Sequence, residues 1–155
     1  MASDALRSVS LTRTGPTAFE ARNARGGTLQ MASGETDDFT PVELLLAGIA
    51  GCSGIDVDLL TSRLAEPTTF TVSASGDKVR DEDGNHMGPI TVRFEVTFPD
   101  GSDGDRARDR LPDAVAKSRD RLCTVSRTVQ LPTEVTYEIG DAQNADSHVH
   151  VHDDD

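Results

Sequence analysis

The stretch that decides the fold is "PVELLLAGIAGC", residues 41–52. The chain is acidic and polar, yet no charged residue occurs between Leu44 and Ile55. The stretch ends in Cys52, one of only two cysteines. It is therefore either a plain core helix that contains a thiol, or the element that places a reactive thiol inside the protein.

Signals at both ends predict a helix over residues 41–65. Thr40 followed three residues later by Glu43 is the pattern of a capping box, and Pro41 suits the first helical position. Pro67 lies just beyond the last helical residue, where proline commonly stops a helix.

Apolar side chains surround most of this helix. A helix that is apolar on all sides is normally buried on all sides. One chain with five phenylalanines, one tyrosine and no tryptophan can hardly enclose it. We therefore expect an obligate homodimer in which a second copy covers the remaining face. The apolar residues are Leu44, Leu45, Leu46, Ile49, Ile55, Val57, Leu59 and Leu60.

The flanking sequence predicts an α+β fold in which antiparallel strands pack on the long central apolar helix. We expect one domain over residues 1–140 and a disordered acidic, histidine-containing tail over residues 141–155. Alternation predicts strands, and two further helices precede the last of them. The strands are expected within 5–13, 17–31, 68–80, 89–98 and 131–140, and the helices over about 111–121 and 123–129, with the segment before residue 111 a surface loop.

The charge balance excludes some partners. Acidic residues number 27 against 15 basic ones, for a net charge of −12, and nucleic-acid binding needs clustered lysine and arginine. No stretch reaches the 18 or more apolar residues of a membrane span, so we expect a cytoplasmic protein with no membrane partner. Only Lys78 and Lys117 are lysines. This composition favours a salt-loving source, with an ordinary acidic cytosolic protein as the alternative.

Two cysteines do not form a disulfide scaffold, so the choices are inert thiols, a metal site or redox chemistry. Asp56 lies one helical turn after Cys52, and a neighbouring anion raises the pKa of a thiol. Cys123 would begin a short helix, whose dipole favours a thiolate, and Arg127 lies four residues further on. Electrostatics alone therefore favours Cys123 as the better-activated thiol.

Glycines at every third position give the helix a strip without side chains. Gly48, Gly51 and Gly54 are poor helix formers, so another requirement must retain them. Either they allow close packing of a neighbouring element, or they leave room for a small substrate near Cys52.

The segment "PVELLLAGIAGCSGIDV", followed about seventy residues later by "LCTVSRT", resembles the OsmC/Ohr family of osmotically inducible and organic-hydroperoxide-resistance proteins. The resemblance covers roughly residues 5–140. It implies an OsmC-like fold, an intertwined homodimer and a thiol-dependent peroxidase activity toward organic hydroperoxides.

By this resemblance, Cys52 matches the peroxidatic cysteine and Cys123 the resolving one. A hydroperoxide would oxidise Cys52, Cys123 would form a disulfide with it, and a thiol or dithiol would reduce the product. No metal or bound cofactor is implied. Gly51 and Arg127 are candidates for contacts with the substrate.

The sequence departs from the family at the residues that would activate the thiol. Family members usually carry glutamate directly after the first proline of the helix; here Val42 holds that position and the glutamate is Glu43. The matching arginine of an early strand is Arg13 at best. These departures indicate a divergent branch, and the acidic charge favours a haloarchaeal source.

Two other functions remain open from the sequence. One is a non-catalytic or small-ligand-binding OsmC-like dimer whose cysteines are buried structural residues. The other is loose binding of a transition-metal ion by "HVHVH", residues 148–152, where three imidazoles alternate.

Overall fold

The computed structural model describes residues 5–140, and this part of the chain forms an α+β fold with antiparallel sheets. The predicted tail 141–155, including "HVHVH", lies outside the described residues. The strands are β1 Val9–Gly15, β2 Ala18–Asn23, β3 Thr28–Ala32, β4 Thr69–Ser75, β5 Lys78–Asp81, β6 Gly84–Met87 and β7 Thr91–Thr97. The helices are α1 Pro41–Thr61, α2 Ser102–Lys117 and α3 Thr124–Gln130, and a π-helical turn, Ser118–Leu122, joins α2 to α3.

Helix α1 begins where the sequence predicts. The Thr40 hydroxyl accepts a hydrogen bond from the Glu43 amide at 3.3 Å, and the Glu43 carboxylate accepts one from the Thr40 amide at 2.8 Å. Both halves of the capping box are therefore present. The helix ends at Thr61, four residues earlier than predicted.

One strip of α1 faces the interior of the chain. Ile49, Ser53, Val57 and Thr61 are buried at intervals of four residues, which places them on one face of the helix. This face packs against α2, the π-helical turn and α3, while β4 and β7 lie against α1 elsewhere. By length and composition alone this helix could cross a membrane, a test that the central helix of a globular fold also passes. Here it is the central helix of an α+β fold.

The strands form three antiparallel sheets, and the β4–β7 pair packs against α1. Strands β1, β2 and β3 form a meander, β4 pairs with β7, and β5 pairs with β6. In the β4–β7 pair, side chains alternate between exposed and half-buried, so one face turns toward α1. Phe70 and Phe94 meet edge to face on this inner side, with ring centroids 6.5 Å apart.

Helix α2 begins nine residues before the predicted start, so the prediction of a surface loop before Leu111 is wrong. Gly101 has a φ of 113°, which permits a sharp entry into the helix. Ala107 and Ala114 then face the core and are fully buried. Pro112 lies inside the helix rather than in its first turn, and the many charged residues around it hide the buried face in the sequence.

The predicted last strand, residues 131–140, is also wrong for the described chain. This segment forms no regular secondary structure and pairs with no strand of residues 5–140. Val135, Tyr137 and Ile139 alternate as the sequence shows, yet they are 69%, 91% and 91% exposed. The alternation indicated a strand, but a strand forms only where a sheet edge is available to pair with it.

Candidate active site

Helix α1 and the π-helical turn bring the two cysteines together from positions 52 and 123. Cys52 projects from the middle of α1, whereas Cys123 is the N-cap residue of α3. The π-helical turn closes with a 2.9 Å hydrogen bond from the Cys123 amide to the Ser118 carbonyl. This turn re-aims the chain after α2, and such turns are frequent at functional sites.

Three side chains converge here, two from α1 and one from the N-cap of α3. The Sγ atoms of Cys52 and Cys123 and a carboxylate oxygen of Asp56 all lie within 4.8 Å of one another. Both cysteines are free thiols. The sequence predicted the neighbourhood of Cys52 and Asp56 from their spacing of one turn, and the resemblance alone indicated that Cys123 joins them.

Cys123 is held in place from two sides. Its side chain is fully buried, and its sulfur accepts a 3.3 Å hydrogen bond from the Ser53 hydroxyl and another of 3.3 Å from the Ser126 amide. The second of these bonds is the N-cap interaction of α3. The sulfur is thereby fixed against α1, so this thiol has little freedom to move.

Asp56 is also oriented by a buried partner. The Ser118 hydroxyl donates a 2.9 Å hydrogen bond to Asp56 Oδ2, and Ser118 is 1% exposed. The carboxylate is therefore directed toward the π-helical turn and the two sulfurs rather than into solvent.

Cys52 is in a different electrostatic environment. Burial raises the pKa of the Cys52 thiol, and Cys123 raises it further, while the backbone amides of Val125 and Thr124 lower it. Among the described residues, no arginine or lysine is a cause of this shift. The thiol form of Cys52 is therefore favoured in the described chain.

The other predicted site residues lie away from the two sulfurs or have other partners. The Glu43 carboxylate caps α1, Arg13 is exposed on β1, and Arg127 is exposed and donates to the Asp120 carbonyl at 2.9 Å. The roles of Glu43, Arg13 and Arg127 stay predictions. The chain does not bring Arg13 and Glu43 into an ion pair within the described residues.

The glycine strip supports the packing role considered from the sequence. A Cβ on Gly54 would lie 3.2 Å from Val72 of β4, so this glycine permits close helix–strand packing. A Cβ on Gly51 would meet nothing within 4 Å, and Gly51 and Gly54 line an open groove of about 710 Å³. Cys52 does not line this groove, so a contact between Gly51 and the substrate stays a prediction.

A second cavity, of about 780 Å³, reaches the hydrogen-bonded side of the site. Its walls include Ser53, Ser118 and Ser126, the three serines that contact Cys123 or Asp56. Apolar side chains such as Ile49 and Phe94 form much of the rest. This cavity is suited to an apolar molecule that approaches a few polar groups.

Sequence reasoning missed these three serines. Ser53 had a signal, since it lies four residues after Ile49 and four before Val57 on the buried strip of α1. Ser118 and Ser126 had none, because their positions depend on a π-helical turn that no simple periodicity predicts.

Comparisons with known proteins agree with this architecture. A family model described as OsmC-like protein matches residues 34–138. An uncharacterised protein of Mycobacterium tuberculosis strain H37Rv is 31% identical over 131 residues, which cover 83% of this chain and 93% of the relative.

Solved structures share the fold. An OsmC-like protein of unknown function from Vibrio cholerae superposes with a TM-score of 0.66 at 13% identity, covering 84% of this chain and 96% of that one. An organic hydroperoxide resistance protein OsmC from Legionella pneumophila gives a TM-score of 0.58 at 14% identity, covering 83% and 91%.

Proposed function

The chain belongs to the OsmC-like family, and we propose that it is a thiol-dependent peroxidase that reduces organic hydroperoxides through Cys52 and Cys123. The observation that carries the proposal is the approach of their two sulfurs to within 4.8 Å. A disulfide requires a sulfur–sulfur bond of about 2 Å, so only a modest movement separates the thiols from bonding. Because Cys123 is fixed and Cys52 is half-buried, Cys52 makes this movement.

The reaction proceeds in three steps. The Cys52 thiolate attacks the outer oxygen of ROOH, the O–O bond breaks, and the alkoxide takes a proton and leaves as ROH. The Cys123 thiol then attacks the sulfenic acid, and the disulfide forms with release of water. A dithiol reductant restores both thiols by exchange and leaves as its own disulfide.

The surroundings of the site support an organic rather than an inorganic peroxide. The 780 Å³ cavity is lined largely by apolar side chains and ends at the serines that contact Cys123 and Asp56. Burial of an alkyl or aryl group there contributes roughly 25 cal/mol for each Å² of apolar surface. The Legionella protein of the same fold is itself named as an organic hydroperoxide resistance protein. Free thiols suit a reducing compartment, so the proposal includes a cytoplasmic location.

The peroxidase is expected to act as a homodimer. Ile55 and Leu59 of α1 are 64% and 55% exposed in the single chain, and the β1–β3 meander packs mainly within itself among the described residues. An exposed apolar face on the central helix of a fold is typical of an interface between subunits. A second copy would cover the exposed face of α1 and supply a partner for residues 131–140.

Sedimentation in molar salt tests the dimer. The wild-type chain should sediment as a dimer, and the double variant Ile55→Glu/Leu59→Glu should shift toward monomer because two charges would enter the interface. Asp58→Asn, on an exposed position of the same helix, is the matched control and should remain dimeric. A wild-type chain that is monomeric at all concentrations in molar salt would remove this part of the proposal.

The peroxidase activity is tested by titrating the reduced protein with cumene hydroperoxide while free thiols are counted. Two thiols per chain should disappear in the wild type, with a disulfide between Cys52 and Cys123 found by mass spectrometry. The titration is carried out in molar salt, which the acidic surface favours. No loss of thiols in the wild type under these conditions would overturn the proposal.

A second candidate is supported by the electrostatics of Cys52. Its raised pKa and the lack of a basic side chain among the causes favour an unreactive thiol at neutral pH. In that case the chain is a small-ligand-binding OsmC-like dimer that uses the apolar cavity. Binding of an apolar fluorescent probe that continues unchanged after Cys52→Ser, together with thiols that resist peroxide, would favour this function.

A further inference from the structure

We propose that the reduced protein binds a thiophilic divalent cation of the zinc type between Cys52, Cys123 and Asp56. The three ligand atoms already lie within 4.8 Å of one another. In a tetrahedral zinc site, with Zn–S bonds of about 2.3 Å and Zn–O bonds of about 2.0 Å, ligand atoms are roughly 3.5–3.8 Å apart. Small side-chain movements therefore suffice to close the site around an ion.

The donor set matches the chemistry of such an ion. Two thiolates are the ligands that zinc and other soft or borderline metals prefer, and a carboxylate is an accepted third ligand. With three protein ligands, the fourth position is open to water. The sequence placed only Asp56 near Cys52, so the complete set depends on the fold that brings in Cys123.

The groups around the three ligands resemble the outer shell of a metal site. Ser118 orients the Asp56 carboxylate at 2.9 Å, and Ser53 and Ser126 each donate to Cys123 Sγ at 3.3 Å. Hydrogen bonds of this kind orient the side chains that ligate a metal and are commonly retained together with them. All three bonds are present, so Asp56 and Cys123 are preorganised, and Cys52 is the ligand that moves to close the site.

Charge gives a further reason. Two thiolates and a carboxylate would carry three negative charges in a partly buried cluster. A divalent cation would offset two of these charges. Binding displaces the two thiol protons into solvent and involves no change of oxidation state.

The consequence concerns regulation of the same thiols. A metal-bound Cys52 shares its electron pair with the ion and attacks a peroxide more slowly, and a Cys52–Cys123 disulfide no longer offers two thiolates to the metal, so each state disfavours the other. This consequence rests on the proposed peroxidase function, whereas metal binding itself does not. The cation would protect the reduced thiols until it is removed.

Cobalt(II) titration of the full-length reduced protein tests the site. The tail histidines are first replaced by His148→Gln, His150→Gln and His152→Gln, so that imidazoles of the tail do not contribute. One cobalt ion per chain should bind with thiolate-to-cobalt charge-transfer absorption and the visible bands of tetrahedral geometry. Zinc should displace the cobalt, and competition with a chromogenic chelator gives the zinc affinity.

Two ligand variants and one control variant separate ligation from folding. Asp56→Asn keeps both thiols and should weaken zinc at least about tenfold, since even outer-shell losses cost 10- to 100-fold. Asp58→Asn, an exposed acid on the same helix, is the control and should bind within about twofold of the parent. The second ligand variant is Cys52→Ser, because Cys123 is fully buried and its replacement would disturb folding. Cys52→Ser should remove the charge-transfer absorption that the Cys52 sulfur contributes.

The outcomes distinguish this proposal from the peroxidase. Absence of thiolate-to-cobalt absorption, or equal zinc affinity of Asp56→Asn and Asp58→Asn, would overturn the metal site even if the metal-free protein consumes peroxide. Metal binding with these variant effects supports the site even if chelator-treated protein is inert to peroxide. If both activities are present, stoichiometric zinc should slow the loss of thiols to peroxide.

Discussion

The surroundings of Cys52 and Cys123 differ although the two sulfurs lie within 4.8 Å of each other. Cys123 is fully buried and its sulfur accepts hydrogen bonds from two donors, whereas Cys52 is half-buried. One thiol is therefore fixed and enclosed, while the other is partly open to solvent. This division suits a pair in which the open thiol meets the substrate and the enclosed thiol receives the oxidised sulfur.

The largest expected effect comes from removing the open thiol. Cys52→Ser should lower the rate of peroxide consumption by at least about 10³-fold, because loss of a covalent nucleophile is among the most damaging substitutions in an enzyme. Cys123→Ser should still permit one turnover, with a sulfenic acid on Cys52 that dimedone traps for mass spectrometry. If the dimedone adduct appears on Cys123 in the wild type or in Cys52→Ser, the roles are reversed.

The pH dependence is the next effect and follows from the raised pKa of Cys52. Only the thiolate reacts, so the rate of alkylation of Cys52 by iodoacetamide should rise about tenfold for each pH unit. An ordinary thiol has a pKa of about 8.5, and the rate for Cys52 should reach its plateau at a higher pH than the rate for such a thiol. Cys123 is one cause of the raised pKa. Cys123→Ala should therefore move the plateau to lower pH and speed alkylation at neutral pH. A plateau below pH 8 in the wild type would mean that a cation outside the described residues activates Cys52.

Glu43 offers a sharper test of how Cys52 is activated. Glutamine can also complete a capping box, so Glu43→Gln should keep the free energy of unfolding within about 0.5 kcal/mol of the wild type. If Glu43 also orients an activating arginine, in place of the glutamate that family members usually carry one position earlier, the peroxide reaction should slow by roughly tenfold. Thr40→Ala is the control, since it should cost about 1 kcal/mol of stability at the same helix end without slowing the reaction. Equal rates for Glu43→Gln and the wild type would confine Glu43 to capping.

The sequence predicted the helix that carries Cys52 much better than the surroundings of Cys123. The start of α1 is confirmed because the capping box at Thr40 and Glu43 acts locally. The predicted start of α2 was wrong, because it depends on Gly101 and a buried alanine face. The predicted strand at 131–140 was wrong for the described residues, because alternation alone does not supply a strand to pair with. The approach of Cys123 depends on the π-helical turn, so only resemblance, and no local pattern, could indicate it.

The smallest expected effect concerns the hydroxyl that holds the enclosed thiol. Ser53→Ala removes one of two hydrogen bonds to Cys123 Sγ and leaves the buried strip of α1 otherwise intact. A hydrogen bond of this kind contributes about 1 kcal/mol, so the free energy of unfolding should fall by about that amount. Sulfenic acid formation on Cys52 should be unchanged, while disulfide formation slows a few-fold because Cys123 is less well oriented. Ser73→Ala, on an exposed position of β4, is the control and should change neither the free energy of unfolding nor the rate of disulfide formation. Slower formation of the sulfenic acid in Ser53→Ala would contradict the separation of roles, because it would mean that the environment of Cys123 also governs the reactivity of Cys52.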